Sequence, residues 1–519
     1  MAGLPRFVVL KSSSNHKCLS LTKNVPYEPA GFMKCNREQV VSPQAKFEVE
    51  MAKTGNGLVH IRCCYNNKYW VTNQAARDDT VWIVASADKP EEDQSKSSCT
   101  LFEPRFAEGQ TQVLFIHIQL RISVSLWKSA TTFENALYLG ARGDVFEVVD
   151  WESLVILPPR VAFKSLEDGK YLCSRRIERH PYQRFESNLD VGDPLVAKEL
   201  FVTADGSLRI KDGHYGKFWR RSPNWIWADA SSENTSDDTL FWPVRIQDNV
   251  IALRNLGNNN FCGGLTTEYK TNCLNAAYPN ISKQSKLVVE ELVLSRNIYN
   301  INFRLSDSRI YHEQVIEMDT AQAVNDSRDR DSTISLKFAE KDSRTRSWNG
   351  SVSLKLGVKT TLQVNSVPLI LDGKIELSAE VTTAYQWEET TTVEHTREAN
   401  YAVVVPPLSK MKVSLIASRA SCDVPFSYTQ RDILTDGRTV TKIMDDGLFT
   451  GINAYKFDYQ NQASYGSQPV SVSRPWRLPR AAYVGICVIL VFSVLLPLLH
   501  LVEFRFAHRN NKHKSCSLM

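Results

Sequence analysis

Between Ser351 and Glu388, apolar and polar side chains alternate over two runs. In the first run Val352, Leu354, Leu356, Val358, Leu362 and Val364 hold even positions, while Ser351, Ser353, Lys355, Lys359, Thr361 and Gln363 hold odd ones. In the second run the parity reverses: Ile375, Leu377, Ala379, Val381 and Tyr385 stand against Lys374, Glu376, Ser378, Glu380, Thr382 and Gln386. Side chains of a strand point alternately to its two faces, so this period predicts two strands, each with one apolar face. A hairpin accounts for the flip when Lys359 lies opposite Glu380 and Val358 opposite Val381, because paired residues share a face. Each limb exceeds the roughly 9–11 residues that a tilted strand needs to cross the hydrocarbon of a bilayer. The connecting segment NSVPLILDG carries Val367, Pro368, Leu369, Ile370 and Leu371, an apolar tip where an ordinary turn is polar. A half-buried hairpin of a soluble sandwich has the same period. The apolar tip and the matched limbs favour a hairpin that enters a membrane. A lone hairpin would leave edge N–H and C=O groups unsatisfied in lipid, so entry requires several copies closing a barrel.

Elsewhere the strands are shorter, and their pattern repeats. AKFEVEMAKTGNGLVHIRCCYNNKYWVTN from Ala45 has a counterpart in KELFVTADGSLRIKDGHYGKFWRRS from Lys198, each ending near an aromatic pair, Tyr69-Trp70 or Phe218-Trp219. Around them VWIVASA matches NWIWADAS, CTLFEP matches DTLFWP, and VVLKSSSNHKCLSL matches VAFKSLEDGKYLCSRR. Two copies of one domain are expected. Gly, Asn, Asp and Pro punctuate the strands, and no ten-residue stretch holds a helical period, so the class is all-β. The recurring strand, polar turn and strand suit a β-trefoil, whose threefold repetition closes a small barrel. The expected layout is a trefoil over 1–152, a second over 153–291, an elongated β-domain over 292–466 and a linker over 467–480. The first boundary falls at WESLVILPPR, where two prolines stop a central strand.

Charge and cysteine content narrow the function. Lys and Arg number 62 against 57 Asp and Glu, evenly spread, for a net +5; lacking a concentrated basic stripe, the chain is not expected to bind nucleic acid. Eleven scattered cysteines, an odd number, form neither a disulfide framework nor paired zinc knuckles, and are expected as mostly free thiols in a reducing compartment. The apolar run Phe7 to Leu10 is too short for a signal-peptide core. Gly263-Gly264 and the histidines match no phosphate loop or metal motif. Glu376, Glu380, Glu388 and Glu389 fit hairpin and surface positions as readily as an acid/base pair at the required spacing of about 5–10 Å. No catalytic residue, cofactor or metal is expected, and the chain is not read as an enzyme.

The segments AGLP, AKFEVE, TGNGLVHI, NNKYW, ASADKPEED, CTLFEP, DVFEVVDW, FVTADGSLRIK, GKFWR, NWI and CLNAA, running from Ala2 to about Glu291, resemble the amaranthin-type agglutinins of plants. The resemblance implies β-trefoil folds, binding of glycans containing galactose or N-acetylgalactosamine, and a site shared between the first trefoil of one subunit and the second of its partner, hence a dimer. Gly350 to Tyr428, above all VPLILDGKIELSAEVTTAYQW, resembles the aerolysin and epsilon-toxin pore-forming module, which implies a homo-oligomeric ring and membrane lipids as partners. A sugar needs an aromatic face for its C–H patch and Asn or Asp for its hydroxyls. Asp79, Trp82, Asn224 and Trp225 supply these groups, although both tryptophans would equally suit a trefoil core. The loop into Trp82 reads Arg77-Asp78-Asp79-Thr80-Val81, unlike the family's Asn, His and Tyr stretch, and its counterpart Ser222-Pro223-Asn224-Trp225 reads as one residue shorter.

Ala481 to Val502, AAYVGICVILVFSVLLPLLHLV, is long and apolar enough for a transmembrane helix, followed by a basic tail over 503–519. Arginines and lysines flank it on both sides, so the positive-inside comparison leaves its orientation open. The last four residues, Cys516-Ser517-Leu518-Met519, have the form of a prenylation signal. The simplest expectation is a membrane-associated chain whose agglutinin-like domains face the cytoplasm.

Overall fold

The structure is a computed structural model that describes residues 3–22, 29–74, 79–107, 111–352, 354, 356–379 and 385–465. Among these residues the protein is all-β, its only helical elements being the three-residue turns Pro43–Ala45, Trp151–Ser153, Asp237–Thr239 and Leu305–Asp307. No helix among them is long and apolar enough to cross a membrane. The expected Ala481 to Val502 helix and the Cys516 tail lie outside the described residues.

The first twelve strands form one sheet, in which the first, Phe7–Ser12, pairs with the last, Phe146–Asp150, from Val8↔Asp150 to Ser12↔Phe146. The next twelve repeat the arrangement, Arg160–Ser165 pairing with Leu287–Glu291 from Val161↔Glu291 to Ser165↔Leu287. Joining first strand to last covers edges that would otherwise template pairing with other chains. Alternating aliphatics fill each interior, with a fully buried tryptophan in each. Trp70 meets Phe47, Phe102 and Phe115 edge-on, with ring centroids 5.7, 5.7 and 5.8 Å away. Trp219 meets Phe163 at 6.0 Å and Phe241 at 5.9 Å.

The third region holds a seven-stranded sheet. Its order is Thr360–Leu362, Val293–Phe303, Ser409–Leu434, Thr439–Tyr465, Ser332–Asn349 and Thr390–Val405, with Arg309–Asn325 paired to Ser409–Leu434. A separate two-stranded sheet joins Val367–Leu371 to Lys374–Ser378. The core of this region gathers around Trp348, which meets Phe449 at 4.8 Å, Phe426 at 5.7 Å and Tyr385 at 5.8 Å.

By contacts the chain divides into two compact units. The larger comprises Met1–Ala321, Ser335–Ala402 and Val413–Asn461. Within it the first closed sheet meets the third region through Arg309, whose guanidinium lies 2.9 Å from Asp423 and 3.6 Å from Glu50. The second closed sheet meets that region through Arg296, held between Glu291 and Asp432 at 2.7 Å each. The smaller unit comprises Gln322–Ile334, Val403–Lys412 and Gln462–Met519. There the buried Asn325 donates to the carbonyls of Arg330 (2.8 Å) and Val405 (2.9 Å), tying two turns together.

Candidate functional site

The alternating segment is β-structured, but its geometry differs from the sequence expectation in two ways. First, Val367 to Leu371 is not an apolar loop: it is a strand, paired with the next from Val367↔Ser378 to Leu371↔Lys374. The turn is the dipeptide Asp372-Gly373, with φ of +48° and +78°. Two residues with positive φ suit the right-handed twist of a hairpin, and Asp-Gly is a preferred pair for such a turn. Second, the limb before it is not a long continuous strand. Among its described residues only Thr360–Leu362 is β-paired, in parallel with Arg296, Asn297 and Ile298. The proposed opposition of Lys359 to Glu380 and Val358 to Val381 involves Glu380 and Val381, which lie outside the described residues.

Burial follows the period from Thr361 to Asn365. Leu362 and Val364 are buried between exposed Thr361, Gln363 and Asn365. Val367, Leu369 and Ile370 are also buried, Val367 and Ile370 in the core around Trp348, so the supposed exposed tip is seated against the body and only Leu371 stands in water. A body that offers an apolar seat removes the cost of exposing the tip. Leu354 packs into the second closed sheet's cluster with Leu356 beside it, Val352 and Val358 are half-buried, Ile375 is partly buried and Leu377 is exposed.

Few side chains secure the hairpin to the main sheet. Buried Asn453 on Thr439–Tyr465 accepts from Ile370 N at 3.0 Å and donates to Ile370 O at 2.9 Å, completing the backbone bonds of a residue that has no further strand beside it among the described residues. At the segment's ends, Ser351 hydrogen-bonds Asp446, Arg346 donates to the Tyr385 hydroxyl, and Glu388 N donates to Trp348 O at 2.8 Å. Trp387 packs 5.1 Å from Tyr428, whose hydroxyl is driven well above the usual phenol range by burial and by the Asp446 carboxylate. Beneath, burial raises the Glu291 carboxyl despite the opposing Arg296 guanidinium. Asn453 carried no signal in sequence, being one polar residue in a long alternating strand.

The four candidate sugar residues separate into exposed amide and acid groups and buried rings. Asp79 is exposed near the end of the first-domain loop, and Asn224 is exposed in the two-residue turn between Ser222 and Trp225. Asn224 Oδ1 accepts from Asn258 and Arg221, each at 3.3 Å. Trp82 and Trp225 are each only 4% exposed. Trp82 is surrounded by Phe133, Phe32 and Trp127 at 5.2 to 5.4 Å, and Trp225 donates Nε1–H to Glu268 at 3.1 Å while packing on Tyr182. Both rings therefore support the sheet, and neither offers an open face to a sugar. The loops differ by four residues rather than one: six residues lie between paired Gln74 and Val81 in the first, and two between paired Ser222 and Trp225 in the second. The sequence reading passed over the more accessible aromatic in this area, Trp227, two residues beyond Trp225 on the same strand face.

Nine described cysteines are free thiols, and burial pushes those of Cys18 and Cys273 up to about 11, which keeps them protonated and unreactive. Among the described residues no cluster of three His, Cys, Asp or Glu could hold a metal.

Comparison with protein families places this geometry. Residues 2–150 and 155–293 each match the Agglutinin domain, and residues 286–459 match the Clostridium epsilon toxin ETX/Bacillus mosquitocidal toxin MTX2 family. The chain belongs to the agglutinin family, with two agglutinin domains followed by an aerolysin-like toxin domain. No curated protein sequence matches it. Similar solved structures include a lamprey immune protein, 13% identical, covering 60% of this chain and 100% of its own at a TM-score of 0.28. Another is a mosquitocidal holotoxin, 10% identical, covering 59% of this chain and 36% of its own at a TM-score of 0.25.

Proposed function

We propose that the chain is a lectin for glycans containing galactose or N-acetylgalactosamine, and that its toxin-family domain assembles with further copies and inserts the Val352 to Trp387 segment to form a membrane pore in plant defence or stress. In this reading each agglutinin domain is a β-trefoil, supported by its twelve strands with first joined to last. Asp79 and Asn224 offer hydroxyl-binding groups, with a lectin dimer bringing first and second domains together. The segment Ala481 to Val502 holds the chain at a membrane with the agglutinin domains on the cytoplasmic side. The chain binds and assembles; no catalysis is proposed.

The observation that carries the pore reading is that Val367–Leu371 and Lys374–Ser378 form their own sheet. Among the described residues, lifting the segment breaks one three-residue parallel pairing, a few side-chain bonds and the packing of Leu354, while the neighbouring long strands stay paired. Exposing Leu362, Val364, Val367, Leu369 and Ile370 to water would cost on the order of 10 kcal/mol, at roughly 1.5–3 kcal/mol for each aliphatic side chain. An apolar membrane removes that cost and water does not. Release is therefore coupled to arrival at a bilayer, and backbone satisfaction there requires a closed ring of copies.

Dye release from vesicles bearing a galactosyl lipid, with electron microscopy of the same samples, tests this. Wild type should form rings and release dye. Val358→Asp should form rings and release none, and Asn453→Ala should release dye faster. Rings without release by wild type would sink the pore reading. The burial of Val367, Leu369 and Ile370 favours a second reading in that event, a lectin whose β-domain serves only to oligomerise it.

A further inference from the structure

We infer that the second agglutinin domain carries a binding surface for an anionic saccharide, formed by Tyr269, Arg179 and the His180–Trp227 stack. The inference rests on the carbohydrate-binding reading and adds both a ligand class and a location distinct from Asp79 and Asn224.

The first observation is backbone strain at two neighbouring tips. Ile177↔His180 and Thr267↔Lys270 close two-residue hairpin turns. Their central residues all have positive φ: Glu178 at +49°, Arg179 at +73°, Glu268 at +52° and Tyr269 at +59°. Such turns favour Gly, Asn and Asp, as at Asp372-Gly373, because a Cβ crowds the backbone there. The tips are braced together: Lys270 Nζ lies 3.0 Å from Glu178 and donates to Glu268 O at 2.9 Å. Strained side chains held in fixed positions are characteristic of ligand clamps. What these tips present is an arginine and a tyrosine, the latter at 105% relative exposure, its ring entirely in water.

The second observation is the surface behind them. Trp227 lies opposite Arg220 on one side and Tyr182 on the other, so the three share a sheet face. His180 stacks on Trp227 with ring centroids 3.9 Å apart and planes 10° from parallel, and is itself exposed. At the matching positions of the first domain, set by Trp70↔Ala85 and Trp219↔Ala228, Val71 and Val84 replace Arg220 and Trp227. The surface is therefore particular to the second domain.

Charge selects the ligand. Arg220 is held by Asp229 at 2.7 Å, Arg175 by Glu186 at 2.7 Å and Lys270 by Glu178, while Glu268 accepts from Trp225. The carboxylates of this surface are thus engaged, and exposed Arg179 enters no ion pair among the described residues. His180 and the Arg220 guanidinium, the latter 5.2 Å from the ring centroid, cover Trp227, so the open rings are those of His180, next to Arg179 in sequence, and of Tyr269 on the braced neighbouring tip. A guanidinium without an ion pair among such rings fits a pyranose that bears a carboxylate or a sulfate, the sugar's C–H face stacking on a ring and the guanidinium making paired hydrogen bonds to the anion.

The test uses the full chain, with calorimetric titration of trigalacturonate, a heparin-derived hexasaccharide and lactose, and with the variants Arg179→Gly and Tyr269→Gly. Glycine is preferred at both φ values, so neither variant should lose the fold, and thermal unfolding should occur at an equal or higher temperature. Each variant should weaken binding of at least one anionic saccharide by about tenfold or more, leaving lactose unaffected. The inference is overturned if wild type binds neither anionic saccharide, or if Tyr269→Gly binds them as wild type does, which would leave only unspecific attraction to Arg179. Lactose binding without anionic binding would sink this inference and spare the galactose reading; the converse would do the opposite.

Discussion

The two agglutinin domains share a frame and differ inside it. The fully buried Trp70 and Trp219 take the same place, each beside a cross-strand alanine, Ala85 or Ala228. One pairing along, the first domain sets Phe47 opposite Cys63, and the second sets Lys198 opposite Asp212. An apolar contact in one copy is thus a fully buried ion pair in the other, with Lys198 Nζ 3.0 Å from Asp212 and neither side chain exposed. The turn that follows keeps one hydrogen-bonding plan. Asp212 accepts from His214 N and Tyr215 N, and Cys63 accepts from Tyr65 N and Asn66 N at the matching positions. The difference teaches that strand closure and turn capping constrain these positions more than polarity does. A charged pair is tolerated where each member finds partners.

The largest expected effect tests the shared part. Trp70→Ala and Trp219→Ala should each cost about 5 kcal/mol, since each empties the centre of a closed sheet. Chemical denaturation followed by domain-specific proteolysis should show the damaged copy opening first. Equal losses would confirm equal roles, whereas a loss below about 2 kcal/mol in either copy would break the equivalence.

The next effect tests the difference. Burial pulls the Lys198 ammonium down, against Asp212; the Asp212 carboxyl stays below its usual range because Lys198 and its hydrogen bonds from Ser174 and Tyr215 outweigh burial. Asp212→Ala leaves a buried ammonium uncompensated and should cost about 3 kcal/mol, measured by the same denaturation. Lys198→Phe combined with Asp212→Cys copies the first domain and should recover most of that loss, leaving about 1 kcal/mol for Ser174 without its acceptor. If the double variant is no more stable than Asp212→Ala, the two interiors are not interchangeable.

The duplication was legible because closure leaves a periodic trace in the residues around Trp70 and Trp219. The alternation from Val352 onward was legible for the same reason, since a buried face demands period two whether the neighbour is lipid or protein. The seat of that face was not legible. Val367, Leu369 and Ile370 looked like an exposed tip because nothing local announces the Trp348 cluster or Asn453, which come from distant strands. The Asp372-Gly373 turn was visible in the sequence and was passed over in favour of the apolar run before it. Trp82 and Trp225 show the reverse limit: composition marks an aromatic, and only packing decides whether its face is open.

The smallest effect concerns one aligned pair of polar residues. His117 and Asn255 both lie opposite the aromatic of the repeated Thr-Leu-Phe unit, as Phe102↔His117 and Phe241↔Asn255, and both are fully buried. His117 Nε2 bonds Cys99 O at 3.1 Å, and Asn255 Nδ2 donates to Asp238 O at 2.9 Å, so each side chain serves the same backbone carbonyl. Burial lowers the His117 pKa, partly offset by its bond to Cys99. The folded first domain therefore holds this imidazole neutral at a pH where the unfolded chain, titrating near 6.5, takes a proton. Its contribution is complete above about pH 6.5 and is lost as pH falls through that value toward the lowered folded pKa. Asn255 does not titrate, so this term is absent from the second domain. Unfolding followed from pH 7.5 to 5 should show the first domain losing stability faster than the second, and His117→Asn should reduce that slope. An unchanged slope in the variant would mean that other groups set the acid response, and that the two copies do not differ in pH sensitivity at this position.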